Sequence, residues 1–322
     1  MGVMRVCPAD FAEQASDILT AAWSLPSVNY SSAYLKWQLS SPGALEPLAI
    51  AAFEGTQPIA FAASINRRLR LGRLTHDMYL LSFYGSRPEH RGPAGMAVLR
   101  AELRILRQAQ VSFLSFAPSG SLSEQILLAA CKAAGQTHIP LGSCRSHGAA
   151  VRPEKTSDFE AEEATDDEEL RKVYDDDESP GILWSNPTGE QFAHYRRDPR
   201  GAVLALVRPA PERPAIGAAH IVRTELLTSE GLQSYATIDS VHLHQPSADA
   251  LAAVVQLASR LWPNQVNPRL VLAPNLSGIG PAVLRAAGFR EMPRATIYNA
   301  HLFTYAPDDP LIAARSTNLE VV

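Results

Sequence analysis

The sequence contains few cysteines and no long apolar run, and these two absences exclude several classes of protein. Its three cysteines, Cys7, Cys131 and Cys144, are widely spaced and form no C-x-x-C motif. This excludes a disulfide framework and a structural zinc site, and it favours a reducing compartment. No stretch of 18 apolar residues occurs, and residues 1–11 contain no apolar signal-peptide core, so we expect a cytoplasmic protein without a membrane partner.

Positive charge is scarce relative to negative charge. The formal net charge is −4 at pH 7 and the isoelectric point is about 6.1. The chain therefore lacks the basic field that attracts nucleic acids, and we expect no nucleic-acid partner. The most acidic segment, residues 158–178, has two interpretations: a solvated strand edge and helix face, or a site for a cationic partner.

The sequence does contain an internal repeat. LAIAAFEGTQPIAFAASI at residues 48–65 aligns without a gap with LALVRPAPERPAIGAAHI at residues 204–221, at an offset of 156. Two shorter matches follow in the same order: Ala-Pro at 117–118 and 273–274, and the KAAG and RAAG tetrapeptides at 132–135 and 285–288. Such a long period indicates duplicated domains rather than a solenoid.

The repeat and the apolar pattern predict two tandem domains of one fold. The chain has 322 residues, of which 46% are hydrophobic, enough for two ordinary cores. We place an N-terminal domain at residues 1–145, an aperiodic linker at 146–160 and a C-terminal domain at 161–322. Each copy is expected to run β-α-α-β-β-β-α-β-α-β, which predicts an α/β fold with mixed, α+β-type sheets.

One segment combines a strand, a small-residue loop and a helix. Residues 84–100 read YGSRPEHRGPAGMAVLR, in which a strand is followed by P-x-x-R-G and by a helix beginning near Pro93. Small residues allow backbone N–H groups to approach a phosphate, and the positive end of the following helix stabilises its negative charge. The segment therefore predicts a binding site for a pyrophosphate group.

This segment resembles motif A of the GNAT superfamily of N-acetyltransferases. The predicted helix 121–134, ending at Gly135, resembles motif B of that family, and residues 275–289 resemble motif B more closely because a terminal Gly-Phe is retained. The resemblance spans nearly all of both copies. It implies two tandem GNAT-like domains that transfer an acetyl or other acyl group from acyl-CoA to an amine, directly and without a covalent enzyme intermediate.

The resemblance implies that the N-terminal domain binds acetyl-CoA or another acyl-CoA, and that the acceptor is a small-molecule or peptide amine. The loop departs from the family pattern R-x-x-G-x-G/A: counted from Arg91, the small positions are Ala94 and Met96, and counted from His90 they are Pro93 and Gly95. Pro93 donates no N–H. The residues implied to bind the cofactor are Phe83, Gly85, Ser86, Arg91, Gly92, Ala94, Gly95, Met96 and Ala97.

Three residues of the first copy are catalytic candidates. Tyr84 ends the motif A strand near the position implied for the thioester, and Glu89 precedes the loop. The tyrosine that commonly serves as the acid in motif B is replaced by Cys131 in the first copy and by Leu284 in the second. A thiol can protonate a thiolate, but a cysteine beside alanines on an apolar helix is also typical of a core. For Tyr84, the alternative to a catalytic role is a packing role.

The second copy offers less for cofactor binding. Residues 244–250 contain neither glycine nor arginine, and Ser247 suits a helix N-cap, so we expect no acyl-CoA there. His242 and His244 share one face of a strand, but no third ligand accompanies them and we expect no metal. This copy is expected to support the first copy or to shape the acceptor site.

The acceptor pocket and the alternative function complete the expectations. Tyr30, Tyr34 and Trp37 precede the first hairpin and are candidates for a wall of the acceptor pocket, with a core role as the alternative. The altered loop and the missing motif B tyrosines favour another function, that of a GNAT-like ligand-binding or scaffold protein without catalysis. Both a monomer and a homodimer are compatible with the sequence.

Overall fold

The secondary structure alternates short helices with strands along the whole chain. The computed structural model describes all residues except 152–157, 177–180, 211, 268, 275, 277–278, 294, 307 and 319–322. The first half forms β1 (Gly2–Arg5), α1 (Ala12–Ala22), β2 (Ser27–Val28), α2 (Ser32–Gln38), β3 (Leu48–Glu54), β4 (Gln57–Leu71), β5 (Leu74–Ser86), α3 (Pro93–Ala109), β6 (Phe113–Pro118), α4 (Leu122–Ala133) and β7 (Thr137–Cys144). The second half forms β8 (His147–Ala150), β9 (Glu160–Glu163), α5 (Asp167–Asp176), β10 (Ile182–Ser185), α6 (Gly189–Tyr195), β11 (Val203–Arg208), β12 (Gly217–Thr228), β13 (Gly231–Leu243), α7 (Ala248–Leu261), β14 (Leu270–Ala273), α8 (Pro281–Ala286), β15 (Phe289–Glu291), β16 (Tyr298–Thr304) and β17 (Ser316–Asn318).

The strands form two mixed sheets. The first has the order β1-β3-β4-β5-β6-β16-β7, with β10 beside β4 and β17 beside β10. The second has the order β15-β8-β14-β13-β12-β11-β9, with β2 beside β12. In both sheets a central parallel pair, β5–β6 or β13–β14, lies next to a long antiparallel hairpin. The predicted mixed α/β architecture with two similar sheets is therefore confirmed.

Strands cross between the halves: β10, β16 and β17 of the second half join the first sheet, and β2 of the first half joins the second sheet. Since β8 follows β7 in the chain but leaves the first sheet, while β16 follows β15 but leaves the second, we call β8 and β16 the exchanged strands. β16 lies antiparallel between β6 and β7 in the first sheet, and β8 lies antiparallel between β14 and β15 in the second. The boundaries 1–145, 146–160 and 161–322 stay a prediction about separate units. Within the predicted linker, residues 147–150 form β8, a strand too short and too poor in β-branched residues to show a periodic pattern. Residues 152–157 of that linker lie outside the described residues.

One layer of helices lies between the sheets and one layer covers each outer face. Helices α1, α2, α5 and α6 share a core with both sheets, to which Leu19, Leu35, Leu170 and Phe192 contribute. Helices α3 and α4 pack on the outer face of the first sheet, and α7 and α8 pack on the outer face of the second. The central layer therefore carries the side-chain contacts between the two halves.

The acidic segment takes part in ion pairs of the second half. Glu162 of β9 and Glu169 of α5 both form ion pairs with Arg208 of β11, so part of the negative charge of this segment is neutralised within the second half.

Within the described part of the chain, no helix combines the length and the apolar character that a membrane span requires.

Candidate active site

The first sheet opens where β5 and β6 separate. The parallel pairing begins at Tyr79 and Phe113 and ends at Leu81 and Ser115, although β5 continues to Ser86. A β-bulge in the β4–β5 ladder at this level adds Ser82 to β5, and bulges bend a strand and strengthen its twist. We call the space between residues 82–86 of β5 and residues 116–118 of β6 the cleft. The backbone edges that face each other across it have no partners in the described strand pairing.

The N-terminus of α3 follows directly after the cleft strand β5. Gly92 occupies the N-cap position with a φ of +87°, a conformation that favours glycine, and no atom lies within 4 Å of the position that a Cβ would take. The helix continues for 17 residues, and its first backbone bond runs from the N–H of Met96 to the carbonyl of Gly92 at 2.9 Å. The amides of Ala94 and Gly95 therefore precede the helical ladder, and they lie at the positive end of the helix dipole.

Tyr84 packs directly beneath the first turn of α3. A Cβ added at Gly95 would stand 2.5 Å from the Tyr84 hydroxyl and 3.7 Å from the Ser86 hydroxyl, so the contact requires glycine at this position. Burial, and then the nearby carboxyl of Glu102, raise the pKa of Tyr84 above its usual value. The phenol therefore stays protonated at neutral pH, with its oxygen on the α3 side of the cleft.

Glu102 is a buried carboxyl on the same face of α3. It lies two turns after Gly95, is only 2% exposed, and accepts a hydrogen bond of 2.7 Å from the hydroxyl of Ser64 on β4. Burial raises the pKa of Glu102 to about 7, although the bond from Ser64 opposes the shift. The underside of α3 thus holds a line of polar groups, Ser86, Tyr84 and Glu102, that extends from the cleft into the core.

Replacing Glu102 by glutamine is expected to change how stability depends on pH. Because the pKa of Glu102 rises from 4.5 to about 7 on folding, its contribution is fully present below about pH 4.5 and is lost as the pH rises through 7. Relative to Glu102→Gln, the wild-type protein should lose about 3 kcal/mol of unfolding free energy over this range. Urea denaturation at a series of pH values measures it. The exposed Glu13→Gln should keep the wild-type profile, and the same decline in Glu102→Gln would refute the assignment.

Aromatic rings cover the opposite side of the cleft. Phe83 is buried against the central helix layer, where Tyr30 meets it edge-on at 5.8 Å between ring centroids. Tyr298 of β16 pairs with Pro118, at the end of β6. Tyr30 and Tyr298 are both half-buried and pack against the central core. Burial, followed by the neighbouring phenols of Tyr34 and Tyr298, raises the pKa of Tyr30 above its usual value. The phenols of Tyr30 and Tyr298 therefore lie near each other, on the side of the cleft that faces the central helix layer.

The other two aromatic residues expected at the acceptor pocket lie in the core. Tyr34 is 1% exposed, and Trp37 is 8% exposed. The Trp37 indole stacks on His194 at 4.8 Å and donates a hydrogen bond of 2.9 Å to the carbonyl of the same residue. Of the three predicted residues, only Tyr30 is half-buried beside the cleft, so Tyr34 and Trp37 have the core role that the sequence left as an alternative.

The remaining predicted residues of the loop and motif B are dispersed. Glu89 lies exposed in the short 3-10 helix Pro88–His90. The guanidinium of Arg91 donates to the carbonyl of Ala22 at 2.9 Å, which fastens the loop to α1. Cys131 is buried between α4 and the first sheet, and burial raises the pKa of its thiol to about 12. The predicted cofactor residues not yet placed are buried, as for Gly85, or half-buried on α3, as for Met96 and Ala97.

The second sheet repeats the separation without the glycine loop. The β13–β14 pairing ends at Thr237 and Leu272, and a bulge beside His220 adds Asp239 to β13. The hydroxyl of Ser247 caps α7, as its sequence predicts. His242 packs between the rings of Tyr174 and Trp184, and His244 bonds to the carbonyl of Val173 at 2.9 Å. Among the described residues, no group of three potential ligands could hold a metal ion.

A buried charge cluster links the two halves beside the central layer. Nη2 of Arg200 lies 2.8 Å from Asp198 and 3.6 Å from Asp239, and its guanidinium stacks over the ring of Tyr34 at 4.4 Å. Nδ1 of His220 lies 3.5 Å from the Asp239 carboxylate. Burial opposes ionisation of Asp239, but His220 and Arg200 hold its pKa below the usual range. The cluster fixes α2 and the turn after α6 against the second sheet.

Sequence reasoning missed three of these residues for different reasons. Glu102 lies on the apolar face of α3 that Leu99, Leu103 and Leu106 define. Its burial could therefore have been inferred from the presence of a charged residue on that face. Tyr298 reaches the cleft only through the exchange of β16, and Arg200 reaches Asp239 only because the turn after α6 packs against β13. For these two, no local pattern in the sequence indicates the position.

The chain resembles known proteins in its three-dimensional structure. Neither a protein-family model nor a curated protein sequence matches the chain. Saccharomyces cerevisiae N-myristoyltransferase with bound myristoyl-CoA superposes with a TM-score of 0.65 at 13% identity, over 98% of this chain and 84% of that one. A tandem GNAT protein from the clavulanic acid biosynthesis pathway superposes with a TM-score of 0.62 at 13% identity, over 96% of this chain and 99% of that one.

A third similar structure is the GCN5-related N-acetyltransferase from Anabaena variabilis. It superposes with a TM-score of 0.57 at 13% identity, over 94% of this chain and 72% of that one. Similarity at this identity concerns the fold. All three matches cover both sheets of the chain, since each spans more than nine-tenths of it. The chain therefore has the tandem GNAT fold of acyl-CoA N-acyltransferases.

Proposed function

We propose that the protein is an N-acyltransferase that takes its acyl group from an acyl-CoA bound in the cleft of the first sheet. The observation that carries the proposal is the separation of β5 from β6 immediately before the N-terminus of α3. This arrangement places unpaired strand edges and a positive helix end along one path. The second sheet has a separation but no such loop, so the proposal gives the donor site to the first half.

The residues around the loop fit a pyrophosphate group. Gly92 has open space around it, and the amides of Ala94 and Gly95 lie at the positive end of α3. Pro93 supplies no amide, so the binding relies on fewer N–H donors than a glycine-only loop would offer. Residues 82–86 present backbone groups to the arm of the donor, and Ser86 adds a hydroxyl at the same end.

When bound, acyl-CoA supplies an activated thioester carbonyl. The chain's part is to position that carbonyl and to exclude water from it. Backbone N–H groups on the separated strand edges are suited to stabilise the developing oxyanion, because they are fixed before the reaction starts. Tyr84 is proposed as the proton donor on the α3 side, since its phenol is kept protonated. The exposed Glu89 and the apolar-packed Cys131 are given no role.

The acceptor amine is proposed to approach from the central helix layer. Tyr30, Phe83 and Tyr298 cover this side of the cleft, and their rings suit an acceptor with an apolar portion beside its amine. Either a small molecule or a peptide meets this requirement, and the acyl group is acetyl or longer. A cytoplasmic location is part of the proposal, supported by the free thiols of Cys7, Cys131 and Cys144.

Calorimetric titration with acetyl-CoA, a longer acyl-CoA and desulfo-CoA tests the donor site. Wild-type protein should bind at least one of them, and Gly95→Trp should weaken that binding at least about 100-fold, because an indole at this position meets Tyr84 and fills the loop. The matched control is Gly189→Trp, at an exposed glycine whose Cβ would meet nothing within 4 Å. Unchanged binding in folded Gly95→Trp would move the donor site elsewhere.

The alternative is a ligand-binding or scaffold protein on the same fold. Pro93 at the first helical position and Cys131 at the motif B tyrosine position are the observations that favour it. Binding without turnover in an acceptor screen that includes small amines and peptides would support this alternative. Binding with release of free CoA thiol would support the enzyme.

A further inference from the structure

Three side chains from three different elements form one hydrogen-bonded chain in the first sheet. Nε2 of His301, on the exchanged strand β16, lies 2.9 Å from Oε1 of Glu124 on α4. Nδ1 of the same ring lies 3.0 Å from Nε2 of His138 on β7. Glu124 and His301 are buried, whereas His138 is exposed and its ring stacks on Phe303. The chain therefore runs from the protein interior to the surface.

The hydrogen bonds fix which atoms carry protons. Burial alone would raise the pKa of Glu124, but hydrogen bonds from Asn299, Gly120 and His301 lower it below its usual value, so the carboxylate only accepts. Nε2 of His301 must then donate to Glu124, which leaves Nδ1 as an acceptor in the neutral ring. His138 in turn donates through Nε2, and its Nδ1 keeps a lone pair at the surface.

With protons in these positions, the two histidines can accept one further proton without losing a hydrogen bond between the three side chains, but they cannot accept two. A proton on Nδ1 of His138 breaks no bond in the chain. A second proton has to occupy Nδ1 of His301, where two N–H groups would face each other across 3.0 Å. Burial lowers the pKa of both rings. Among the described residues, the only ionisable groups that shift the pKa values of these three side chains are Glu124 and His301 themselves, and Asn299, Gly120 and Phe303 contact them as well.

Glu124, the buried end of this hydrogen-bonded series of side chains, reaches the β6 side of the cleft. Oε2 of Glu124 accepts a hydrogen bond of 2.7 Å from the amide of Gly120, in the turn that joins β6 to α4. Asn299 of β16 donates to both Glu124 and Ser119, at 2.7 and 3.1 Å. The amide of Ser119 donates to the carbonyl of Ile297, just before β16. The turn at 119–121 is therefore held by the exchanged strand.

We propose that Glu124, His301 and His138 are positioning residues for the cleft, which tie the turn 119–121 to β16 and β7; the link to β7 is lost when both rings gain a proton, whereas the bond from His301 to Glu124 is kept. This inference rests on the proposed function for the cleft, but the tie itself is a property of the folded protein. It assigns to the second half of the chain a direct part in shaping the donor site.

Hydrogen exchange of the Gly120 amide, measured by NMR without ligand, tests the tie. Glu124→Gln places an amide donor opposite at least one of the three donors that Glu124 accepts, so the protection factor of Gly120 should fall about tenfold or more near neutral pH. His138→Gln retains a donor for His301 but cannot titrate. It should show wild-type protection near neutral pH, because the bonds from Gly120 and His301 to Glu124 are kept. The exposed Glu168→Gln is the matched control.

Titration of the same proteins with acetyl-CoA separates this inference from the proposed function. A Kd raised about three- to tenfold in Glu124→Gln, together with reduced protection of Gly120, supports the positioning role. Reduced protection with an unchanged Kd, in protein that binds acetyl-CoA, overturns it, as does unchanged protection of Gly120. If wild-type protein binds no acyl-CoA, the proposed donor site fails, and the protection factors alone decide whether the tie exists. His138 is exposed, so His138→Gln is expected to fold.

Discussion

A chain that ends after residue 295 is expected not to fold cooperatively, because it lacks the strand that lies between β6 and β7. β16 bonds to both neighbours, and Ala300, Leu302 and Phe303 are buried in the cores on its two faces. Burial of Leu302 and Phe303 contributes about 1.5–3 kcal/mol each, and the missing ladder leaves backbone groups of β6 and β7 without partners. Together these losses approach the whole stability of a typical domain, about 5–15 kcal/mol.

The measurement is thermal unfolding by circular dichroism, with the dispersion of amide signals in a two-dimensional NMR spectrum as a second readout. The control chain ends after residue 318 and keeps both β16 and β17. It should unfold in one transition like the full chain. A sharp transition and dispersed signals from the chain ending at 295 would show that the first sheet folds without β16, and would remove the basis for treating the halves as interdependent.

Arg200→Met is expected to lower the free energy of unfolding by about 3–5 kcal/mol. Its guanidinium lies between Asp198 and Asp239, both almost fully buried, and methionine replaces its bulk without its charge. The two carboxylates would remain buried without their cation, and the stacking over Tyr34 would be lost as well. Urea denaturation near neutral pH measures the change.

Arg197→Met is the matched control, because Arg197 is exposed and bonds only to a carbonyl of its own helix turn among the contacts described. It should change stability by less than about 0.5 kcal/mol. Adding Asp239→Leu to Arg200→Met should recover part of the loss, since it removes one of the stranded carboxylates. A loss of under about 1 kcal/mol in Arg200→Met would indicate that water, rather than Arg200, solvates Asp239.

The local elements could be predicted from the sequence because short-range patterns determine them. The β3–β4 hairpin follows from two apolar runs around Glu54 and Gly55, and α3 follows from Pro93 and the spacing of Leu99, Leu103 and Leu106. β16 corresponds to the last strand in the order of elements expected for the second copy. Its partners could not be predicted, because an apolar strand carries the same pattern whichever sheet it joins, and the pairing of β16 with β6 joins residues far apart in sequence.

In the candidate site, too, the residues of one contiguous segment could be predicted, and those brought together by long-range contacts could not. The loop at Gly92 and the position of Tyr84 at the end of β5 could be read from one contiguous segment. The cover of the cleft by Tyr30 and Tyr298, and the tie through Glu124 and His301, depend on contacts between segments that are more than 50 residues apart in the sequence. Asp239 is the only acidic residue of β13, but its partner Arg200 comes from a turn that no periodicity marks.

The exchange of β8 and β16 also limits how the molecule can move. Domain proteins often admit and release ligands by hinge rotation of two rigid bodies. Here the two halves of the sequence cannot separate as units, because β16 would have to leave the middle of the first sheet and break hydrogen bonds on both of its sides. A rotation of one sheet against the other must instead bend the chain where it crosses between the sheets, including the connections from β7 to β8 and from β15 to β16.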